Sequence, residues 1–255
     1  MKKNLIILTG LLLSLAVSAQ RNRYLTEERS NEGNILLLNF SYGMQWPGGD
    51  LADRFGYNFT TGGTMDFLTK SNFIIGLQST FQFGTEVKED VLANLRNEDG
   101  IIFGNDGALA NVKLRKRGIY LGGHLGKLFP IQSSNKRSGI RVTVGAGMLQ
   151  HKIRIQDDPQ IAIAQLGDAY KKGYDRLTNG FAFTEFIGYQ YLAKNRRINF
   201  IAGLEFTQGF TQSRRSFNFD TRTRDDRKRT DLLSGFRLSW TLPLYIGENA
   251  EEIRY

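Results

Sequence analysis

From Leu36 to Trp46 every even position is large and apolar (Leu36, Leu38, Phe40, Tyr42, Met44, Trp46), and Asn39, Ser41, Gly43 and Gln45 stand between them. A repeat of two puts the apolar set on one face of an extended strand and the small polar set on the other; a helix would scatter both. The pattern recurs along the chain. Tyr57, Phe59, Thr61, Met65 and Phe67 alternate with Asn58, Thr60, Gly62, Thr64 and Asp66, and Phe73, Ile75, Leu77, Phe81 and Phe83 with Gly76, Gln78, Thr80 and Gln82. A fourth segment sets Ile119, Leu121, Leu125 and Phe129 against Tyr120, Gly122, His124 and Gly126, and a fifth sets Ile140, Val142, Val144, Ala146 and Met148 against Arg141, Thr143, Gly145 and Gly147. The seventh places Phe200, Ala202, Leu204, Phe206 and Phe210 opposite Asn199, Gly203, Glu205 and Thr207; the eighth runs from Leu232 to Leu244 in the same way. The sixth, Phe181 to Tyr191, carries one discord. Glu185 falls in register with Phe181, Phe183, Ile187 and Tyr189, and a bulge or register change there would return the carboxylate to the polar face.

The polar face separates a soluble sandwich or lipocalin-like barrel from a barrel in lipid. A wet face would be dominated by Lys and Glu. This one is Gly, Asn, Gln, Ser and Thr with few charges, which suits a narrow, packed lumen. The apolar bands end in Tyr42, Trp46, Tyr57, Tyr189, Tyr191, Trp240 and Tyr245, as interfacial girdles do. Mean hydropathy is only −0.34 despite 18 Phe, 10 Tyr and 28 Gly, the balance expected when every second residue of a lipid-facing strand turns inward. The connections alternate too: Leu68–Asn72, Pro130–Ser138 and Leu192–Arg197 are short, whereas Pro47–Gly56, Gly84–Arg115, Leu149–Gly180 and Gln212–Arg229 are longer. The expectation is an all-β fold, an eight-stranded antiparallel transmembrane barrel over residues 34–246. Four long loops would lie outside, with both chain ends on the periplasmic side.

Lys2 and Lys3 precede an apolar run from Leu5 to Val17, and Val17-Ser18-Ala19 closes it with small residues, the pattern of a cleaved secretory signal peptide over residues 1–19. The run is shorter than the roughly 20 residues of a spanning helix. Removing it takes two lysines from a net charge of +9, leaving +9 − 2 = +7. Residues 20–33 and 247–255 are expected to be short periplasmic segments, the second ending in the aromatic Tyr255. The absence of cysteine excludes a disulfide framework, a thiolate metal site, a cysteine nucleophile and a lipid-modified N-terminal cysteine.

Signal peptide, eight alternating strands and long loops resemble the small outer-membrane β-barrel proteins of Gram-negative bacteria, the OmpX-like and OmpW-like group. The resemblance is one of architecture over nearly the whole mature chain. No enzyme or transporter motif accompanies it, so it implies a place in the outer membrane and assigns no functional residue.

An eight-stranded barrel is only wide enough to be filled by its own side chains. Asp66, His124, Arg141, Glu205 and Arg237 are expected inside, with Glu185 if the sixth strand shifts phase. Charges so enclosed must pair. Arg141 and Arg237 with Asp66, Glu205 and Glu185 therefore predict a salt-bridge plug rather than a conducting path.

Catalytic constellations are scarce. There are two histidines, His124 within a strand and His151 where the fifth strand leaves the membrane. His151 with Asp157 or Asp158 at the outer rim is the one arrangement that an enzyme acting on lipid or peptide could use. No HExxH, nucleophile elbow, Walker loop or Rossmann fingerprint is present. Asn97, Glu98, Asp99, Asn105 and Asp106 do not follow calcium-loop spacing, and turn chemistry accounts for them. No cofactor or metal is expected.

The loops carry the individuality. Glu86–Arg96 and Ile161–Leu177 are predicted as short helices, the second with Ile163, Leu166, Ala169 and Tyr170 on one face. The last loop concentrates Arg214, Arg215, Arg222, Arg224, Arg227, Lys228 and Arg229 against Asp220, Asp225 and Asp226, with Phe217 and Phe219 alternating as in a hairpin. Nucleic acid is not a plausible partner for an exported barrel. Lipopolysaccharide phosphates lie at this height, and Arg binds phosphate bidentately; a solvated, charge-rich hairpin is the equal alternative. The expected role is a non-enzymatic envelope scaffold, or a docking subunit of a secretion or assembly complex. A rim enzyme and a narrow solute channel are the alternatives.

Overall fold

The computed structural model describes residues 33–158, 160–193 and 198–246. The predicted signal peptide, the tail 247–255 and all but the last residue of the 20–33 segment lie outside the described residues. Eight long strands are present: β1 (Asn34–Gly49), β2 (Asn58–Leu68), β3 (Phe73–Gly84), β4 (Lys113–Gln132), β5 (Asn135–Gln156), β6 (Thr178–Leu192), β7 (Asn199–Ser213) and β8 (Lys228–Ile246). Each pairs antiparallel with its chain neighbour, and β1 pairs with β8 from Asn34↔Ile246 to Gly49↔Asp231, so the sheet closes on itself. Closure leaves no strand edge, the condition for a sheet surrounded by hydrocarbon.

Alternation sets the two sides of the wall. Phe40, Leu77, Leu125 and Trp240 point outward and are 57–67% exposed, on four different strands. So many large apolar side chains outside, spread around the whole circumference, would be untenable in water and are at home in lipid. The matching inward positions Asn39, Gln78, His124 and Thr241 are buried.

The interior is layered. At the end with the short turns, Ile35, Leu37, Leu68, Ile74, Leu128 and Leu192 form an apolar plug. Charged and amide side chains fill the middle. At the other end, loops bring Leu51, Phe55, Val91, Leu92, Ile163, Leu166 and Tyr174 onto Ile153, Ile155 and Leu233, making a second apolar core over the mouth. Leu51 belongs to a helix, α1 (Asp50–Arg54), that the sequence did not reveal because five residues are too few for a periodic signal.

Other expectations are corrected. Pro130–Ser138 is mostly strand, since β4 runs to Gln132 and β5 starts at Asn135. The β4–β5 arms also rise well past the positions assigned to them, taking Lys113–Arg115 and Leu149–Gln156 from the loops. Glu86–Arg96 holds only one 3-10 turn, Ala93–Leu95, and Ile161–Leu177 only a turn at Ala164–Leu166 and the short helix α2 (Asp168–Lys171). The last loop does not prolong β7 and β8; a single bridge, Asn218↔Thr223, crosses it.

Glu185 is the largest correction. The β5–β6 ladder is unbroken from Gly139↔Gln190 to His151↔Thr178, so no bulge turns Glu185 inward, and it stays on the outer wall opposite Val144 and Phe206. The interior place belongs to Phe186. A Cβ on either Gly188 or Gly203, paired across β6 and β7, would collide with the Phe186 ring, and their absence of side chain seats it.

A cation at mid-wall therefore meets hydrocarbon. Leu204→Arg is expected to destabilise the barrel in lipid vesicles by about 2–4 kcal/mol, whereas Glu185→Leu stabilises it, both measured by urea unfolding from the bilayer. Equal stability of Leu204→Arg and the parent chain would contradict a lipid-facing wall.

Candidate functional site

Two buried polar clusters and an ordered cap are the places where chemistry could reside. In the middle layer Arg141 Nη2 donates to Asp66 Oδ2 at 2.5 Å, and His124 Nε2 lies 2.8 Å from Asp66 Oδ1. Asn39 Nδ2 (2.7 Å) and Thr64 Oγ1 (3.0 Å) also donate to Asp66 Oδ2. Gly76 makes this packing possible, because a Cβ there would strike Asp66 and His124. Arg237 pairs with Glu205, its guanidinium 4.2 Å from the centroid of the Phe186 ring, and Gln78 Nε2 donates to Glu205 Oε2 at 3.1 Å. Four of the five residues expected in the lumen network thus lie together in two adjoining ion pairs; Glu185 is outside.

The charged side chains of this layer are 0–8% exposed. A water-wide channel would expose the groups lining it, so the layer is packed rather than open.

Nearer the cap a second cluster gathers residues that sequence reasoning did not join. His151 Nε2 is 2.8 Å from Asp231 Oδ2, to which Thr211 Oγ1 also donates at 2.5 Å. Lys116 Nζ donates to Asn58 Oδ1 (2.6 Å) and lies 5.3 Å from the Phe55 ring centroid; His151 meets the same ring edge-on. The alternation that points His151 inward could have placed it. Its partner, 80 positions away, left no local signal.

His151 is therefore not joined to Asp157 or Asp158. Asp157 pairs with Lys171 Nζ at 2.8 Å, and Asp158 accepts the Gln160 backbone N–H. Asn97 accepts from the backbone of Asp99 and Ile101, and Asp106 from that of Ala108. No group of three or more His, Cys, Asp or Glu suited to a metal occurs among the described residues.

The cap is fastened by ion pairs between loops. Glu89 receives Arg54 on one oxygen and Arg176 on the other, both at 2.7 Å, and Arg176 reaches on to Asp220. Phe219 packs against Gly173, where any Cβ would collide with its ring, and meets Tyr174 edge-on at 5.5 Å. Three loops and α1 are thereby tied into one surface.

The arginine run takes part in this fastening. Arg215 grips Asp175 with two nitrogens (2.8 and 2.5 Å), Arg229 pairs with Asp225 (2.5 Å), Arg224 with Asp226 (2.6 Å) and Arg227 with Asp50 (3.5 Å). Arg214 donates to Asn179, and Arg222 sits at the loop tip with φ 53°. Arg214, Arg222 and Lys228 pair with no carboxylate among the described residues, and Arg214 and Lys228 border an outer-wall groove with Phe181 and Phe210.

Burial would raise the Glu89 carboxyl, but Arg54 and Arg176 outweigh it and hold it below the usual carboxylate range. Burial would likewise raise Asp225, but Arg229, the Arg227 backbone N–H and Arg54 together hold it below its ordinary value. Arg215 is raised, chiefly by its hydrogen bonds to Asp175.

No protein-family model matches the chain, and no curated protein matches it. Among solved structures it is similar in shape to Neisserial surface protein A, NspA (10% identity, TM-score 0.39, covering 81% of this chain and 98% of that one). It is also similar to Ail, the attachment invasion locus protein of Yersinia pestis (10% identity, TM-score 0.37, 82% and 99%). A further match is Ail in complex with the heparin analogue sucrose octasulfate (11%, 0.34, 82% and 99%).

Two outcomes are expected. Because Glu89 and Asp225 are ionised more readily in the folded cap, their contribution is complete above the ordinary carboxylate pKa of about 4 and is lost as pH falls below it. Hydrogen exchange of the loop amides at pH 7 and, after matched correction, at pH 3 should show the cap loosening while the strands stay protected; a cap equally protected at both would contradict it. Asp66→Ala strands a buried Arg141 and should cost about 3–5 kcal/mol of unfolding free energy.

Proposed function

We propose that this chain is an outer-membrane scaffold that docks an envelope partner through its capped face, and that it is not an enzyme. The observation that carries the reading is the cap itself: loops with their own apolar core and the Arg54–Glu89–Arg176–Asp220 chain, above a lumen filled by ion pairs. Loops that merely joined strands would not need such fastening. An ordered surface loses little entropy when it binds, which is what docking needs. The signal-peptide pattern and the apolar outer wall support export and insertion into the outer membrane, with the cap outside. A packed middle layer argues against solute passage, and the separation of His151 from Asp157 and Asp158 removes the one rim constellation that favoured catalysis. Within the arginine run, Arg214, Arg222 and Lys228 are the cations without a carboxylate partner among the described residues, and so the ones left for lipopolysaccharide phosphate.

Purification of the full chain from envelopes in mild detergent is expected to recover one stoichiometric partner. Glu89→Ala, which releases both Arg54 and Arg176, should reduce that recovery without loss of the folded barrel. Repeated recovery of the barrel alone would overturn the docking role, and steady single-channel conductance in planar bilayers would overturn the filled lumen.

A further inference from the structure

Above the lipid band the outer face of the β4–β5 hairpin changes character. Ile119, Leu121 and Met148 give way to Lys113, Arg115 and Arg117 on β4 and to Lys152 and Arg154 on β5. The register places Arg115 opposite Arg154 and Arg117 opposite Lys152. Like charges set directly across antiparallel strands repel one another. Among the described residues no carboxylate pairs with any of the five; Arg117 Nη1 donates only to the neighbouring Lys116 carbonyl, at 2.7 Å. The hairpin cannot rotate to relieve them, because its inner face carries Ile153 and Ile155 in the cap core, with Leu114 packed against them.

The height of this ladder is set by its neighbours. Phe83 lies directly opposite Arg117, and Phe59 opposite Phe83. Tyr42, Tyr57, Phe59, Phe83 and Phe81 form a run of rings with centroids 5.9–6.2 Å apart, an aromatic girdle of the kind that sits at the headgroup level. A groove of about 450 Å³ opens here, lined by Tyr42, Tyr57, Phe59 and Phe83 on one side and by Arg115 and Arg117 on the other. A free anion would use only its cationic side, and an acidic protein would leave the rings facing hydrocarbon without a partner. A phosphate carrying acyl chains uses both.

We propose that the outer face of the β4–β5 hairpin binds a phosphorylated, acylated lipid of the outer leaflet. Arg115, Arg117, Lys152 and Arg154 grip the phosphate, and the acyl chains descend over Phe59 and Tyr42. The bound phosphate supplies the counter-charge that the ladder lacks and anchors the hairpin on which the cap rests. This goes beyond the docking role and rests on the outer-membrane placement proposed with it.

The test uses the folded full chain in neutral detergent and fluorescent bisphosphorylated lipid A in mixed micelles. The quadruple variant Arg115→Gln/Arg117→Gln/Lys152→Gln/Arg154→Gln should bind at least about tenfold more weakly, since charge-assisted contacts to phosphate are lost. The control Lys70→Gln/Lys136→Gln, at the short-turn end of the barrel, should bind as the parent does. Enzymatically dephosphorylated lipid A should bind the parent chain as weakly as intact lipid A binds the quadruple variant, and millimolar inorganic phosphate should fail to displace the lipid. Folding is checked by circular dichroism; should the quadruple variant not fold, Arg115→Gln/Arg154→Gln is read instead, with a loss of at least about threefold. Equal binding by variant and parent, indifference to dephosphorylation, or full displacement by phosphate or polyglutamate would each overturn the site. Binding by purified protein is independent of cellular location, so its failure leaves the docking reading standing. A misplaced barrel would show instead in membrane fractionation.

Discussion

Every backbone amide in hydrocarbon must find its partner within the protein, and this one requirement governs the rest of the molecule. It forces the eight strands to close between β1 and β8, and closure at this strand number fixes a lumen that side chains fill. The outer positions are then committed largely to Phe, Leu, Ile and aromatic belts, with Glu185 the charged side chain and Ser79, Gln208 and Ser234 polar ones among them. Specificity is left to the inward positions and the loops.

The inward positions meet that demand by pairing. A buried guanidinium or carboxylate is tolerable only with its partner in place, and Asp66 with Arg141 and Glu205 with Arg237 supply one another across the barrel. Glycine supplies the room: Gly76 beneath the Asp66–His124 contact, and Gly188 with Gly203 beneath Phe186. The packed middle layer then serves as a floor on which α1 and the loops build a cap, the surface on which the proposed docking role rests.

Much of this was legible in the chain, because lipid imposes a strict period. All eight strands follow from alternation, as do the sidedness of every membrane portion except that of β6 and the inward positions of Asp66, Arg141, Glu205 and Arg237. The period fails where lipid no longer enforces it. Beyond Met148 the apolar set moves to the inner face, with Leu149, Ile153 and Ile155 buried and Lys152 and Arg154 turned out, so a search for outward apolar residues ends the strand too early. On β4 the buried Lys116 interrupts the same inverted pattern. Glu185 was misplaced by the assumption that a carboxylate on the apolar face must signal a bulge; the continuous ladder and the fit of Phe186 hold it outside. The cap was invisible because its contacts are distant in sequence, Glu89 meeting Arg54 across 35 positions and Arg176 across 87.

Everything in the molecule depends on which side of the wall meets lipid. Spin labels placed singly at consecutive positions from Leu36 to Trp46 in the bilayer-reconstituted barrel, with collision rates measured for oxygen and for a water-soluble nickel chelate, test this directly. The expected result is a two-residue oscillation, with oxygen access highest at Leu38, Phe40 and Tyr42 and low access to both reagents at Asn39, Ser41 and Gly43. Uniform access of the nickel chelate along the strand, or an oscillation of the opposite phase, would contradict a barrel seated in lipid.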